Sequence, residues 1–245
     1  MGFLERFLRV YRMKDWIHYL GFVVLGSVFT GNLSLLLFLQ ASFLLSYAYS
    51  LNDYYEGEFA RKWFLLPLIC SLLLLPFLEP LQVTVSLAFI LIFTLYSWPR
   101  TYLEGKPGLS TLSNSLAFLL ILLLPFTSVV QIYNFRYFLL LIFLLNTAAQ
   151  LIHEIAHRAS DKKNSKLTTA VRLGSYSVWF LRAVLVLVIL TSILFIHNQF
   201  LVFLSTSLYS AYFLYASFTE IDEVYRKRFK TFGIACGLIY LIQFL

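Results

Sequence analysis

Long apolar runs recur along the whole 245-residue chain and leave few folds open to it. A helix needs roughly 17–25 mainly apolar residues to cross about 30 Å of hydrocarbon, and we predict nine such spans. Their ranges are 16–31, 33–51, 63–78, 81–98, 109–130, 135–152, 173–196, 200–218 and 229–245. Only 13% of residues are charged, against roughly 25% in soluble domains. Because the runs lack the alternation of a membrane barrel, we predict an all-α multi-pass membrane protein, with residues 1–245 in one domain.

The loops between the predicted spans differ in charge on the two sides of the membrane. Of 19 Lys and Arg residues, 17 fall at the N-terminus or in the loops after even-numbered spans, the exceptions being Arg136 and Arg182. By the positive-inside rule, we expect a cell-membrane protein with a cytoplasmic N-terminus and a C-terminus on the outer side. All 12 acidic residues except Glu79 also fall on the cytoplasmic side. The rule does not require this of acids, so the concentration predicts a polar site there.

Two polar segments occupy equivalent places in the sequence. They contain Asn52, Asp53 and Glu56 after span 2, and Glu154, His157 and Asp161 after span 6. Residues three, four or seven apart share a helix face, so each set forms one polar face if its span continues as a helix. Both segments enter the cytoplasmic side in the same direction, four spans apart. This arrangement is typical of a parallel internal repeat that faces itself across a central cavity.

Facing clusters of oxygen ligands suit hard divalent cations. Mg²⁺ keeps several waters, takes one or two carboxylates and bridges to phosphate oxygens, and such ions help a diphosphate to leave. Basic side chains near the clusters would hold the phosphate oxygens. The candidates are Arg12, Arg100, Lys106, Lys162 and Lys163.

The two segments resemble the paired motifs of the UbiA superfamily of intramembrane prenyltransferases. "NDYYEGEFA" resembles an NDxxDxxxD motif, with Glu56 in place of an Asp and Ala60 where a further acid would stand. "EIAHRASD" resembles a DxxDxxxD motif, with Glu154 and His157 at two of its Asp positions. "YRMKDW", "LYSWPRTYLEGKPG" and "KKNSKLTTAVRLG" are similar to that family's entry to helix 1, its segment after helix 4 and its continuation after the second motif.

The resemblance implies a nine-helix fold that moves a polyprenyl group from its diphosphate to a lipophilic or aromatic acceptor. It implies Asp53 and Asp161 as catalytic residues. The implied metal ligands are Asp53, Glu56, Glu154, His157 and Asp161, and the implied diphosphate contacts are Arg12, Lys106, Lys162, Asn52 and Tyr96. The expected cofactor is Mg²⁺, with Mn²⁺ or Zn²⁺ as alternatives because imidazole is a softer ligand. The expected partners are polyprenyl diphosphate, the acceptor and membrane lipid, with no nucleic acid.

The sequence is also compatible with other functions. His153, Glu154 and His157 spell HExxH, a zinc-protease arrangement, although no downstream motif supplies a third ligand. An internal repeat also fits a transporter, but polar residues within the spans are sparse. The altered acidic motifs also fit a UbiA-like terpene cyclase or an inactive relative.

Overall fold

The computed structural model of the chain describes residues 10–57, 61–163 and 166–245. Helices joined by turns make up this described part, which contains no strand, so the prediction of an all-α protein is confirmed. Ala60, where the first motif lacks an acid, lies outside the described residues.

The chain divides into two compact units. One consists of Met1–Tyr102 and Leu120–Tyr133, and the other of Leu103–Leu119 and Asn134–Leu245. Each unit therefore carries one of the two polar segments. That the whole chain acts as a single domain around a central cavity stays a prediction.

The helices of the described residues are numbered in chain order. They are α1 (Met13–Trp16), α2 (Leu20–Thr30), α3 (Leu35–Tyr55), α4 (Leu65–Leu74), α5 (Pro80–Ser97), α6 (Leu109–Leu123), α7 (Val129–Asn134), α8 (Arg136–Lys163), α9 (Thr169–Leu173), α10 (Tyr176–Ser192), α11 (Phe200–Ala216) and α12 (Glu223–Phe244). Each of the nine predicted spans overlaps one of the longer helices.

In the first unit, α3 packs against α2, α4 and α5 and carries the first polar segment at its C-terminal end. Ser34 caps the start of this helix, because its Oγ accepts a hydrogen bond from the Leu37 N–H and so satisfies one of the free amides of the first turn. It then continues without a break to Tyr55. Continuation of span 2 beyond its apolar residues is thereby confirmed.

In the second unit, α8 packs against α9, α10 and α12. It runs for 28 residues, so the second polar segment is the C-terminal part of one long helix whose first half is apolar. At the start of α12, Asp222 caps the helix by accepting a hydrogen bond from the Tyr225 N–H. These contacts place the polar end of α8 beside α9 and the N-terminus of α12.

Within the described part of the chain, four helical segments are long and apolar enough to cross a membrane. They are Leu35–Tyr55, Pro80–Ser97, Arg136–Lys163 and Tyr176–Phe195. The segments Leu65–Phe77, Leu109–Leu123 and Phe200–Ala216 are apolar but shorter. The chain is thus a membrane protein with several apolar helices, whereas nine crossings and the orientation of the termini remain predictions.

Arg182 is a charged residue inside a predicted span, and its contacts explain how it is tolerated. Its guanidinium donates to the Oγ and to the backbone carbonyl of Ser217, just after the C-terminus of α11. It also lies over the rings of Trp179 and Phe218. A cation at a helix C-terminus meets the negative end of the helix dipole, so Arg182 joins α10 to α11.

Candidate functional site

The first polar segment forms the last turn of α3. Asp53 is fully buried, with 0% of its surface exposed, whereas Glu56 follows the helix as its C-terminal cap and is exposed. Two carboxylates of one turn therefore meet different surroundings. A buried carboxylate is stable only when it is paired and hydrogen-bonded, so the partner of Asp53 determines what this segment can do.

One such partner is Arg12. Its Nη1 donates to Asp53 Oδ1 at 2.9 Å, while its Nε donates to Asp15 Oδ2 at 2.7 Å. The backbone of Arg12 has a φ of 47°, in the left-handed region that non-glycine residues seldom adopt. Burial disfavours the charge on the guanidinium, but the bonds to Asp15 and Asp53 outweigh it and raise the pKa of Arg12. A permanent cation is thus held against the buried Asp53.

The residue before Asp53 is oriented from α5. Ser97 Oγ donates to Asn52 Oδ1 at 3.2 Å, which fixes the direction of the Asn52 amide. Tyr96, another predicted diphosphate contact, is buried at the same end of α5. The first unit therefore brings together Arg12, Asn52 and Asp53, with Tyr96 at the end of the neighbouring helix.

In the second unit, Glu154 is at the centre of a buried hydrogen-bond network. Its Oε1 accepts from Ser110 Oγ and Thr111 Oγ1, both at 3.0 Å, and lies 3.4 Å from Gln150 Nε2. Its Oε2 accepts from the backbone N–H of Ala170 at 3.2 Å. Only 2% of Glu154 is exposed. Both carboxylate oxygens are therefore engaged with the protein, and they join α8 to α6 and α9.

Thr169 extends this network to the loop before α6. Its Oγ1 accepts from the Gly108 N–H at 2.9 Å and lies 2.7 Å from Thr111 Oγ1. We refer to Glu154, Ser110, Thr111, Thr169 and Ala170 as the Glu154 network. It positions the loop before α6, which carries the predicted cation Lys106, and also α9, which carries Arg172.

His157 and Asp161 face other parts of the second unit. His157 Nε2 lies 3.8 Å from Glu223 Oε2 at the start of α12, where both side chains are partly exposed. A hydrogen bond from Arg226 and the nearby His157 both lower the pKa of Glu223. Asp161 Oδ2 accepts from Thr168 Oγ1 at 3.4 Å, and its backbone carbonyl accepts from the Lys166 N–H. The three motif positions of α8 thus have three separate environments.

The predicted lysines differ in their surroundings. Lys106 is exposed in the loop before α6. Lys162 is exposed at the end of α8 and lines a cleft of about 380 Å³ together with Arg158. Sequence reasoning did not single out Arg158, nor did it find Ser110, Thr111 or Glu223, because their contacts join distant segments of the chain.

The candidate ligands are of the type that Mg²⁺ binds. Within either unit, among the described residues, no three His, Cys, Asp or Glu side chains lie together as a metal site. Mg²⁺ does not need such a set, since it is commonly held by one or two carboxylates together with waters and substrate phosphates. Asp53 and Glu56 offer that chemistry in the first unit, and Asp161 offers it in the second. Glu154 fits less well, because its oxygens already accept four hydrogen bonds.

The zinc-protease hypothesis finds little support in the same contacts. The rings of His153 and His157 lie near each other, with centroids 4.6 Å apart. A protease of this kind also needs the Glu154 carboxylate to polarise a zinc-bound water, and this carboxylate is engaged in the buried Glu154 network.

Several solved structures have folds similar to that of this chain. A UbiA homologue from Archaeoglobus fulgidus bound to Cd²⁺ is similar with a TM-score of 0.77 and 17% identity, over 97% of both chains. A UbiA homologue from Archaeoglobus fulgidus bound to GPP and Mg²⁺ is similar with a TM-score of 0.74 and 16% identity, over 96% of this chain and 99% of that chain. A digeranylgeranylglyceryl phosphate synthase is similar with a TM-score of 0.73 and 16% identity, over 98% of this chain and 96% of that chain. At sequence identities this low, the structural similarity shows only that this chain shares the fold.

The sequence comparison assigns the family. No curated protein matches the chain, but the UbiA prenyltransferase family matches it over residues 56–239. That range is well over half of the 245 residues and includes the second polar segment. The chain therefore belongs to the UbiA prenyltransferase family.

Proposed function

We propose that this protein transfers a prenyl group from a prenyl diphosphate to a lipophilic or aromatic acceptor, with Mg²⁺ as cofactor. The observation that carries the proposal is the pairing of the partly exposed Arg12 with the buried Asp53 at the polar end of α3, in a chain of the UbiA family. Similar structures bound to GPP or DMAPP together with Mg²⁺ support the class of substrate.

The side chains of the first unit have complementary roles in this proposal. Asp53 and Glu56 provide hard oxygen ligands for Mg²⁺, and Arg12 provides a fixed cation for a phosphate oxygen. A guanidinium has five N–H donors, so Arg12 can keep its bonds to carboxylates and still contact diphosphate. Because Ser97 holds the oxygen of Asn52, we propose the amide nitrogen of Asn52 as a further phosphate donor, with Tyr96 close by along α5.

In the second unit we propose Asp161 as metal ligand and Lys106 as diphosphate contact. Mg²⁺ on the diphosphate neutralises its charge and makes it a better leaving group. His157 and Glu154 stay predicted ligands on sequence grounds, and Glu154 has a second, structural role through its network. Mn²⁺ or Zn²⁺ in place of Mg²⁺ would follow from a ligand role of His157.

Binding of geranyl diphosphate (GPP) or dimethylallyl diphosphate (DMAPP) to the purified full chain tests the proposal. With Mg²⁺ present, Asp53→Asn and Asp161→Asn should each weaken binding by about 10- to 100-fold, since each removes one charge-assisted contact. Glu220→Gln is the matched control, because it removes one carboxylate from an exposed turn. Release of pyrophosphate with added acceptors then measures turnover.

The outcomes separate the remaining alternatives. Unchanged binding in both Asp variants would overturn the proposed site. Pyrophosphate release without any acceptor, with a cyclic product, would indicate a cyclase, and binding without release would indicate an inactive relative. Stoichiometric zinc in the purified protein, with no affinity for GPP or DMAPP, would favour the protease.

A further inference from the structure

The cleft beside Arg158 and Lys162 has the chemistry of a phosphate site. Six residues line its volume of about 380 Å³: Arg158, Ala159, Lys162, Val171, Gly174 and Ser175. Two of the six are cationic and none is acidic. All six belong to the second unit, from the end of α8, from α9 and from the turn before α10.

Arg158 is held in position within this cleft. Its Nη1 donates to the backbone carbonyl of Gly174 at 2.8 Å, which uses one of the five N–H donors of the guanidinium. Gly174 has a φ of 57°, and this left-handed turn directs the chain from α9 into α10. Lys162 lies one helical turn after Arg158, so both cations project on the same side of α8.

The start of α10 completes the lining. Gly174 and Ser175 immediately precede this 17-residue helix, whose first amides carry the positive end of the helix dipole. The helix dipole alone would not define a site. Here it reinforces a cleft that already contains one fixed guanidinium and one ammonium group.

The position of the cleft relative to the bilayer follows from the two helices that meet there. The segment Tyr176–Phe195 and α8 are both candidate membrane spans, and the cleft lies at the N-terminal end of the first and the C-terminal end of the second. Next to it, Tyr176 and Trp179 are 73% and 62% exposed. Exposed Tyr and Trp at the end of a span are typical of the headgroup level.

We propose that this cleft binds the phosphate headgroup of an anionic bilayer lipid. Arg158 and Lys162 hold the phosphate oxygens, as in the basic pockets between membrane helices that bind anionic headgroups. Tyr176 and Trp179 lie beside the glycerol region. The acyl chains follow the exposed apolar side of α10, which includes Leu187 and Leu190. Lys162, which the sequence assigned to the prenyl diphosphate, thereby contacts a different phosphate.

Native mass spectrometry of the detergent-purified full chain tests this, with phosphatidylglycerol and phosphatidylcholine of identical acyl chains as probes. No Mg²⁺ or prenyl diphosphate is added, so the result is independent of the proposed transferase activity. We expect retention of phosphatidylglycerol over phosphatidylcholine. Lys162→Gln should weaken it about fivefold, and Arg158→Gln with Lys162→Gln about 30-fold, since a basic residue near the membrane surface contributes on the order of 1 kcal/mol.

A matched control separates a specific site from general attraction to positive charge. Lys227→Gln with Arg228→Gln removes two exposed cations from α12 and should change retention by less than about twofold, because neither lines the cleft. Since Arg158 also bonds to Gly174, the double cleft variant could lose structure. Lys162→Gln, at an exposed position, and the charge-preserving Lys162→Arg, which should retain lipid, keep the test valid in that case.

Four results would overturn the proposal. One is equal loss in the cleft and control variants, and another is equal retention of phosphatidylcholine. A third is displacement of phosphatidylglycerol by millimolar inorganic phosphate, which would indicate a site for free phosphate. The last is one-for-one displacement by GPP that depends on Lys162, which would return this lysine to the prenyl diphosphate.

Discussion

Substitution of Glu154 distinguishes a structural carboxylate from a metal ligand. The Glu154 network predicts that loss of the acceptor destabilises the second unit, whereas loss of the charge alone is tolerated. If Glu154 is a metal ligand, loss of the charge alone should not be tolerated, because a metal ion needs the charge. The structural role therefore predicts that Glu154→Ala is much more harmful than Glu154→Gln. A ligand role predicts that Glu154→Gln is harmful as well.

The expected magnitude follows from what each donor can do without the carboxylate. The hydroxyl of Ser110 or of Thr111 can turn to Thr169 Oγ1, which lies 3.2 and 2.7 Å away and has one lone pair left beside the bond from Gly108. The other hydroxyl can turn to a backbone carbonyl of its own helix. The Ala170 N–H is fixed by its backbone and cannot turn. A buried donor without an acceptor costs about 1–3 kcal/mol, and the lost methylene packing adds about 1 kcal/mol. Glu154→Ala should therefore lower the free energy of unfolding by about 2–4 kcal/mol.

Glu154→Gln should cost much less. Its amide oxygen can accept from the Ala170 N–H, and its NH₂ group can donate to the hydroxyl oxygens of Ser110 or Thr111, since hydroxyls also accept. The bond from the Ala170 N–H and a bond to the hydroxyls are then remade without a charge. We expect a loss below about 1.5 kcal/mol, the usual scale of one neutral hydrogen bond.

Thermal unfolding in detergent, followed with a thiol-reactive dye, measures the difference. Cys236 in α12 is buried and reports on the second unit. In a Cys70→Ser background it is the sole thiol, because the chain has two cysteines. At about 2–4 °C per kcal/mol for a chain of this size, Glu154→Ala should lower the Tm by about 5–15 °C. Glu220→Gln, in an exposed turn, should shift it by less than about 2 °C.

Two results would refute the reasoning. A Tm of Glu154→Ala within about 2 °C of the unmodified chain would show that the network contributes little. A stable Glu154→Gln that loses Mg²⁺-dependent binding of GPP as strongly as Asp161→Asn would show that Glu154 acts as a metal ligand. Retained stability together with retained binding in Glu154→Gln supports the structural role.

Three further substitutions or conditions test other contacts of the fold. In Gly26→Ala the new Cβ would collide with the Leu122 carbonyl oxygen, so we expect a loss of about 1–3 kcal/mol, measured as a lower Tm. Arg182→Leu removes the hydrogen bonds to the end of α11 and should cost about 1.5–3 kcal/mol, whereas equal stability would show that these bonds are dispensable. A hydrogen bond from Arg226 lowers the pKa of Glu223. The contribution of the Glu223 carboxylate to stability is therefore present above its unfolded-state pKa and declines as pH falls through its lower folded-state pKa. A Tm series from pH 7 to pH 3 should show this loss in the unmodified chain and a weaker one in Glu223→Gln.

The helices were predictable because apolar length and membrane thickness are directly related. Each predicted span overlaps a helix, and the polar segments continue the helices of spans 2 and 6, as their residue spacing indicated. The limits of the helices were less predictable. Span 6 was expected to end at residue 152, yet α8 continues to Lys163, because hydrogen bonds donated to the carboxylates of Glu154 and Asp161 satisfy the polar side of its last turns.

The contacts of the site were only partly predictable. Arg12 and Asp53 were both selected from the sequence, but their pairing joins residues 41 positions apart and depends on the left-handed backbone of Arg12. Nothing in a local pattern indicates such a conformation. The Ser110 and Thr111 hydroxyls were missed for a similar reason, since Ser and Thr in an apolar helix usually bond to their own backbone.

The departures from an Asp-rich pattern in α8 have a physical explanation in these contacts. Glu154 is one methylene longer than Asp, and its carboxylate reaches both the hydroxyls of α6 and the backbone amide at Ala170. His157 lies toward Glu223 of α12, and only Asp161 keeps the short acidic side chain of the pattern. If the longer arm serves the network, then Glu154→Asp should break it, because the shorter carboxylate cannot reach the Ala170 N–H. A stability loss in Glu154→Asp that exceeds the loss in Glu154→Gln would therefore show that reach, and not charge, determined the residue at this position.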